Sequence, residues 1–106
     1  MKKIFVYGIL QKGISAEHFG LIDEYYIGRA KLPGYFRCSL TSIFKGNDDS
    51  EVEGDIWEVP EDIEERLYRF EAKFGYNRGI TNPIRLSDNK EFETISYLLP
   101  PERYHD

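Results

Sequence analysis

At Pro60 the apolar period of the chain changes from two to about 3.6. Before it, Glu51 to Val59 alternates, with Val52, Gly54 and Ile56 on one face and Glu53, Asp55, Trp57 and Val59 on the other. This is a strand with a glycine where another backbone or a ligand approaches closely. After it, Ile63, Leu67, Phe70 and Phe74 recur at helical spacing and form one apolar stripe. Pro60 opens that helix, Glu61 and Asp62 suit its positive end, and Gly75 stops it. A strand that runs straight into an amphipathic helix calls for a sheet and a helix packed on one another.

The rest of the chain adds strands. Ile4 to Tyr7 is apolar without alternation and reads as a buried strand ending at Gly8. A loop from Gly8 to Gly13 follows, and then a short helix from Ala16 to Ile22 that Ser15 is placed to cap. Tyr25 to Leu32 is a strand stopped by Pro33-Gly34, Tyr35 to Phe44 another, and Gly46 to Ser50 a turn. Tyr76 to Leu86 and Phe92 to Leu99 read as two more strands joined through Ser87 to Lys90. Pro100-Pro101 stops the last one, leaving a short polar tail with a solvated His105. Strands outnumber helices and do not alternate with them. The pattern predicts an α+β fold, a largely antiparallel or mixed sheet curled into a small barrel flanked by helices, in one domain over residues 1–106.

Composition excludes several functions. Nineteen acidic residues face 14 Lys and Arg, for a net charge of −5, and no basic run exceeds Lys2-Lys3. Nucleic acid and anionic membranes are poor partners for such a chain. No stretch approaches the ~20 apolar residues of a membrane span, and the apolar run after Lys3 breaks at Gly8 and Gln11. The one cysteine, Cys38, has no internal disulfide partner and reads as a small buried apolar residue. A soluble cytoplasmic protein is the expectation. Seven Phe, eight Tyr and one Trp point to a core or cleft lined by rings.

His18 and His105 lack neighbours at ligand spacing, so no metal site is expected, and no nucleophile elbow, Walker loop or dinucleotide fingerprint occurs. Two features remain. The loop at Tyr7-Gly8-Ile9-Leu10 is either an ordinary strand exit or a row of backbone N–H groups aimed at an anion. Glu71 lies near the edge of the apolar stripe, where it is either a solvated face residue or a partly desolvated carboxyl with a raised pKa.

Five segments resemble the γ-glutamylcyclotransferase-like (AIG2-like) family. Val6-Tyr7-Gly8-Ile9-Leu10 with Gly13 is similar to its VYGTL-x-x-G opening, and Gly28 to Tyr35 to its second strand and turn. Val52-Glu53-Gly54-Asp55-Ile56-Trp57-Glu58-Val59 is similar to its V-x-G-x-hydrophobic-aromatic-x-V strand. Leu67 to Glu71 stands where the family has L-D-x-x-E-G, and Tyr76-Asn77-Arg78 matches Y-x-R. The resemblance implies a one-cavity barrel that cyclises a γ-glutamyl group to 5-oxoproline and releases an amine, amino acid or peptide, without cofactor or metal. It implies Glu71 as general acid/base and Tyr7, Gly8, Ile9 and Leu10 as the substrate loop. Tyr76 and Arg78 either line the pocket or serve strand packing and a surface ion pair. Ile9 replaces Thr or Ser, Tyr68 replaces Asp and Ala72 replaces Gly, which leaves the amides and the carboxylate in place. The alternative is a non-catalytic small-molecule-binding or interaction module on the same fold.

Overall fold

The computed structural model describes residues 1–103. The rest of the expected tail, with His105, lies outside the described residues. The described residues form eight strands and one α-helix: β1 Lys2–Val6, β2 Tyr26–Pro33, β3 Tyr35–Ser39, β4 Ser42–Lys45, β5 Glu51–Val59, α1 Glu61–Ala72, β6 Asn77–Thr81, β7 Ile84–Arg85 and β8 Thr94–Leu98. Six of them form a sheet in the order β6-β8-β1-β5-β2-β7, and β3 and β4 form a separate hairpin. All pairings are antiparallel except β1 with β8, where Ile4 lies opposite Ile95. The mixed α+β expectation holds.

Strand β1 is central and buried on both faces, as its unbroken apolar run implied. Ile4 and Val6 join Trp57, Val59 and Leu67 in one cluster, and Phe5 and Tyr7 join Ala30, Val52 and Ile56 in the other. Gly54 of β5 is the tightest point between them. A Cβ there would lie 2.3 Å from the Val6 carbonyl oxygen and 2.8 Å from the Phe5 ring. The close approach expected of this glycine is therefore made by the neighbouring strand.

The expected barrel is not closed by hydrogen bonds. Asn82-Pro83 splits the predicted 76–86 strand into β6 and β7, because Pro83 has no N–H to give a ladder. These two strands sit at opposite edges of the sheet. Thr81 and Ile84 are joined by so few residues that the edges stand at most ~11 Å apart. The sheet is thus curled around almost to itself, with its two edge strands joined by the chain at Asn82-Pro83 and not paired with each other.

Three further expectations are corrected. The 35–44 strand is a hairpin whose two strands turn at Leu40-Thr41. The helix after Ser15 is only a 3-10 turn, Ala16–Phe19; Ser15 makes no side-chain cap bond, and Gly20 takes a left-handed φ of 83° that ends it. Cys38 is exposed on β3 rather than buried, in the half of the strand, with Arg37 and Ser39, that runs out toward the hairpin turn.

Replacing Gly54 with Ala forces the Val6 carbonyl aside and is expected to lower stability by about 1–3 kcal/mol. A urea unfolding midpoint equal to that of the wild type would contradict this packing.

Candidate active site

Because β1 is enclosed, the chain leaves the sheet at Tyr7 and turns at once. Gln11 N–H donates to the Gly8 carbonyl at 3.2 Å, closing a tight turn over Gly8 to Gln11. Gly8 does not take positive φ. Its missing side chain instead admits the β3–β4 hairpin tip, with the Leu40 carbonyl oxygen 3.3 Å from where a Cβ would be. The N–H groups of Gly8, Ile9 and Leu10 have no acceptor among the described residues. Successive unpartnered backbone donors are the groups that anion-binding loops use.

Helix α1 brings Glu71 to the same place. Pro60 sets its start, and Glu61, Asp62 and Glu64 occupy the first turn near the positive end of its dipole. At the other end Gly75, with φ 90°, turns the chain back so that Tyr76 N–H donates to the Glu71 carbonyl at 3.3 Å. Leu67 is fully buried and Ile63 and Phe70 half-buried, whereas Phe74 is 58 % exposed. The stripe therefore serves the core over its first turns only. Its later rings, Phe70 and Phe74 at 5.3 Å, border a cavity instead.

That cavity holds about 240 Å³. Tyr7, Gly8, Ile9 and Leu10 line one side, Glu71 and Tyr76 another, and Phe5, Val6 and Tyr97 also contribute to its lining. Thr41, at the hairpin tip, completes it; Tyr76 hydroxyl donates to the Thr41 carbonyl and ties that tip down. Glu71 is the only charged residue of the lining. Its carboxylate has no hydrogen bond or ion pair among the described residues. Burial without compensation pushes its pKa up from 4.5 to about 7. Burial, and then the neighbouring Tyr76 and Glu71, push the Tyr7 phenol well above its ordinary range. Its hydroxyl donates to the Tyr97 carbonyl, so Tyr7 presents backbone and ring face to a ligand, not its hydroxyl.

Arg78 stands outside this cavity. Its guanidinium pairs with Glu64 at 2.8 Å and Glu65 at 2.7 Å and lies over the Tyr68 ring at 3.9 Å. Hydrogen bonding to Glu64 holds its pKa above the usual value. The ion-pair alternative for Arg78 is the one the geometry favours. Glu64 is 4 % exposed and also accepts from the Tyr97 hydroxyl at 2.9 Å.

Sequence reasoning missed Thr41, because the hairpin was read as one strand, and the cavity faces of Phe70, Phe74 and Tyr97. It also missed Asp55, which is 1 % exposed and accepts from Lys12 N–H at 2.8 Å and the Tyr26 hydroxyl at 2.7 Å. The signal was present: Asp55 shares its strand face with Trp57 and Val59, so a carboxylate had to be buried with partners.

A family model described as gamma-glutamyl cyclotransferase, AIG2-like, matches residues 4–106. The chain belongs to this family. No curated protein matches it. Among solved structures it is similar to an AIG2-like protein of Mus musculus, at 23% identity and a TM-score of 0.73, covering 96% of this chain and 81% of that one. An uncharacterised protein of Pyrococcus horikoshii matches at 21% identity and a TM-score of 0.71, over 93% and 78% of the two chains. A structure titled gamma-glutamyl cyclotransferase matches at 21% identity and a TM-score of 0.70, over 93% and 66%. At these identities the likeness is one of fold. No helix of the described residues is long and apolar enough to cross a membrane.

Two outcomes follow from the electrostatics of this AIG2-like chain. A carboxyl whose folded pKa is raised stabilises the fold below its unfolded pKa and loses that contribution as pH rises through the folded value. Stability is therefore expected to fall between pH 4.5 and about 7 on account of Glu71, and Glu71→Gln to flatten that fall in denaturant titrations. Identical pH profiles for the two proteins would refute the burial of this carboxyl. Arg78→Met strands a buried Glu64 and is expected to cost up to ~3 kcal/mol, less than a fully buried pair because the guanidinium reaches solvent. Ligand affinity at the Glu71 cavity, measured by calorimetry, should stay unchanged; a selective loss of affinity would return Arg78 to the site.

Proposed function

We propose that this protein cyclises a γ-glutamyl group to 5-oxoproline and releases an amine, amino acid or peptide, with Glu71 as general acid/base. The observation that carries the reading is that one small cavity is lined by both the half-buried Glu71, whose carboxyl has no partner among the described residues, and the Gly8–Leu10 loop, whose three amides have none either. Family membership supports the same chemistry.

The substrate brings its own nucleophile. Its α-amine attacks the γ-carbonyl carbon, a C–N bond forms, and the bond to the leaving amine breaks. No side-chain nucleophile is needed. A cavity of this size holds the glutamyl part folded, and pre-set proximity supplies much of the rate. Glu71, with a pKa near 7, takes one proton from the α-ammonium and releases it to water, then takes a second from the nitrogen that has attacked and passes it to the leaving nitrogen, which leaves a lactam N–H. The N–H groups of Gly8, Ile9 and Leu10 bind the substrate carboxylate or the oxyanion of the tetrahedral intermediate. Because no Lys, Arg or His lines the cavity, these dipoles are its means of holding negative charge against a net charge of −5.

The test is 5-oxoproline release from γ-glutamyl amino acids, γ-glutamyl-amines and glutathione. Glu71→Gln is expected to lower kcat/KM by about 10²–10⁴-fold with the fold intact. The wild-type kcat/KM should rise with pH through about 7, as the base form of Glu71 fills. Ligand binding without product from any donor would instead favour a non-catalytic binding module.

A further inference from the structure

Gly8 and Ile9 line the cavity, and the residue that fixes how their peptide units are turned, Gln11, lies just beyond the loop and outside the cavity lining. Gln11 is buried, at 9 % exposure, and its Nε2 donates to the Tyr7 carbonyl at 2.7 Å and to the Gly8 carbonyl at 3.1 Å. The Tyr7 carbonyl belongs to the same peptide unit as Gly8 N–H, and the Gly8 carbonyl to the same unit as Ile9 N–H. A trans peptide is planar, with C=O and N–H on opposite sides. Fixing the two carbonyls toward Gln11 therefore fixes the two N–H groups away from it.

The Gln11 amide is itself held. Its Oε1 accepts from Arg29 Nη1 at 2.7 Å. Arg29 only donates and the two carbonyls only accept, so this side chain has one orientation that satisfies all three. Arg29 Nη1 is in turn 3.6 Å from Asp55 Oδ2, the same oxygen that receives Lys12 N–H at 2.8 Å. One buried carboxylate of β5 thus anchors the loop twice, directly through Lys12 and indirectly through Arg29 and Gln11.

We infer that Gln11 is a positioning residue, whose amide, locked by Arg29 and Asp55, aims the Gly8 and Ile9 N–H groups into the cavity. The inference rests on the proposed role of those amides as the anion site and goes beyond it in naming what orients them. Gln11→Glu is nearly isosteric and keeps the Arg29 pair, but it turns a carboxylate oxygen onto two carbonyl oxygens. The Tyr7 carbonyl then loses its side-chain anchor, and the Gly8 carbonyl keeps only the Gln11 main-chain N–H.

The test is a titration of 5-oxoproline followed by amide NMR of Gly8 and Ile9, together with turnover. In Gln11→Glu, and in Gln11→Leu as the uncharged control for misfolding, affinity read at those amides is expected to fall about tenfold or more. The Glu71 carboxyl should still titrate near pH 7, because the cavity walls are intact. Loosened packing would move both readouts. Wild-type affinity at the Gly8 and Ile9 amides in the folded variants would overturn the inference, as would the absence of any wild-type response there. A wild-type response that the variants lose, in a protein that releases no 5-oxoproline from any donor, would sustain the inference and remove the proposed reaction.

Discussion

A strand enclosed on every side leaves its chain only one way to go. Strand β1 has β8 and β5 along its edges and apolar clusters on both faces. The backbone must therefore emerge from the sheet at Tyr7 still carrying polar groups that need partners. The Tyr7 and Gly8 carbonyls are taken by Gln11, while the amides of Gly8, Ile9 and Leu10, residues that line the cavity, have no acceptor among the described residues. The rest of the site is arranged around that exit. The hairpin tip at Leu40-Thr41 closes against Gly8, Tyr76 secures the tip, and the last turn of α1 carries Glu71 opposite.

Three acidic side chains near this exit differ in one respect that decides their roles. Asp55 and Glu64 are almost fully buried, and each is surrounded by donors. Removing a carboxylate from water is costly unless such partners restore what is lost. Glu71 is less buried, yet has no partner among the described residues, and its pKa is raised accordingly. The paired carboxylates hold strands, loop and helix in register. The unpaired one is free to change its protonation near neutral pH, which is the property the proposed reaction uses.

Much of this was legible in the residues. The change of period at Pro60 located β5 and α1, and the unbroken run from Ile4 to Tyr7 identified a buried strand. The resemblance implied a site of Tyr7 to Leu10 and Glu71, and left Tyr76 and Arg78 open between pocket and packing; the cavity is lined by all of these except Arg78. What was hidden depended on contacts between distant segments. The turn at Leu40-Thr41 has no glycine, proline or asparagine to mark it, so Thr41 went unnoticed. Arg78 has the same local pattern as a pocket residue, and only the fold brings Glu64 and Glu65 within its reach. Gln11 looked like a residue that merely interrupts an apolar run. Its importance comes from Arg29 and Asp55, which lie 18 residues away from it and on β5 respectively.

The most direct measurement is a structure of the protein with 5-oxoproline bound. The carboxylate is expected against the N–H groups of Gly8, Ile9 and Leu10, with the ring nitrogen within hydrogen-bonding distance of the Glu71 carboxyl. A ring bound elsewhere, with Glu71 turned to bulk solvent, would contradict the assignment of this cavity as the reaction site.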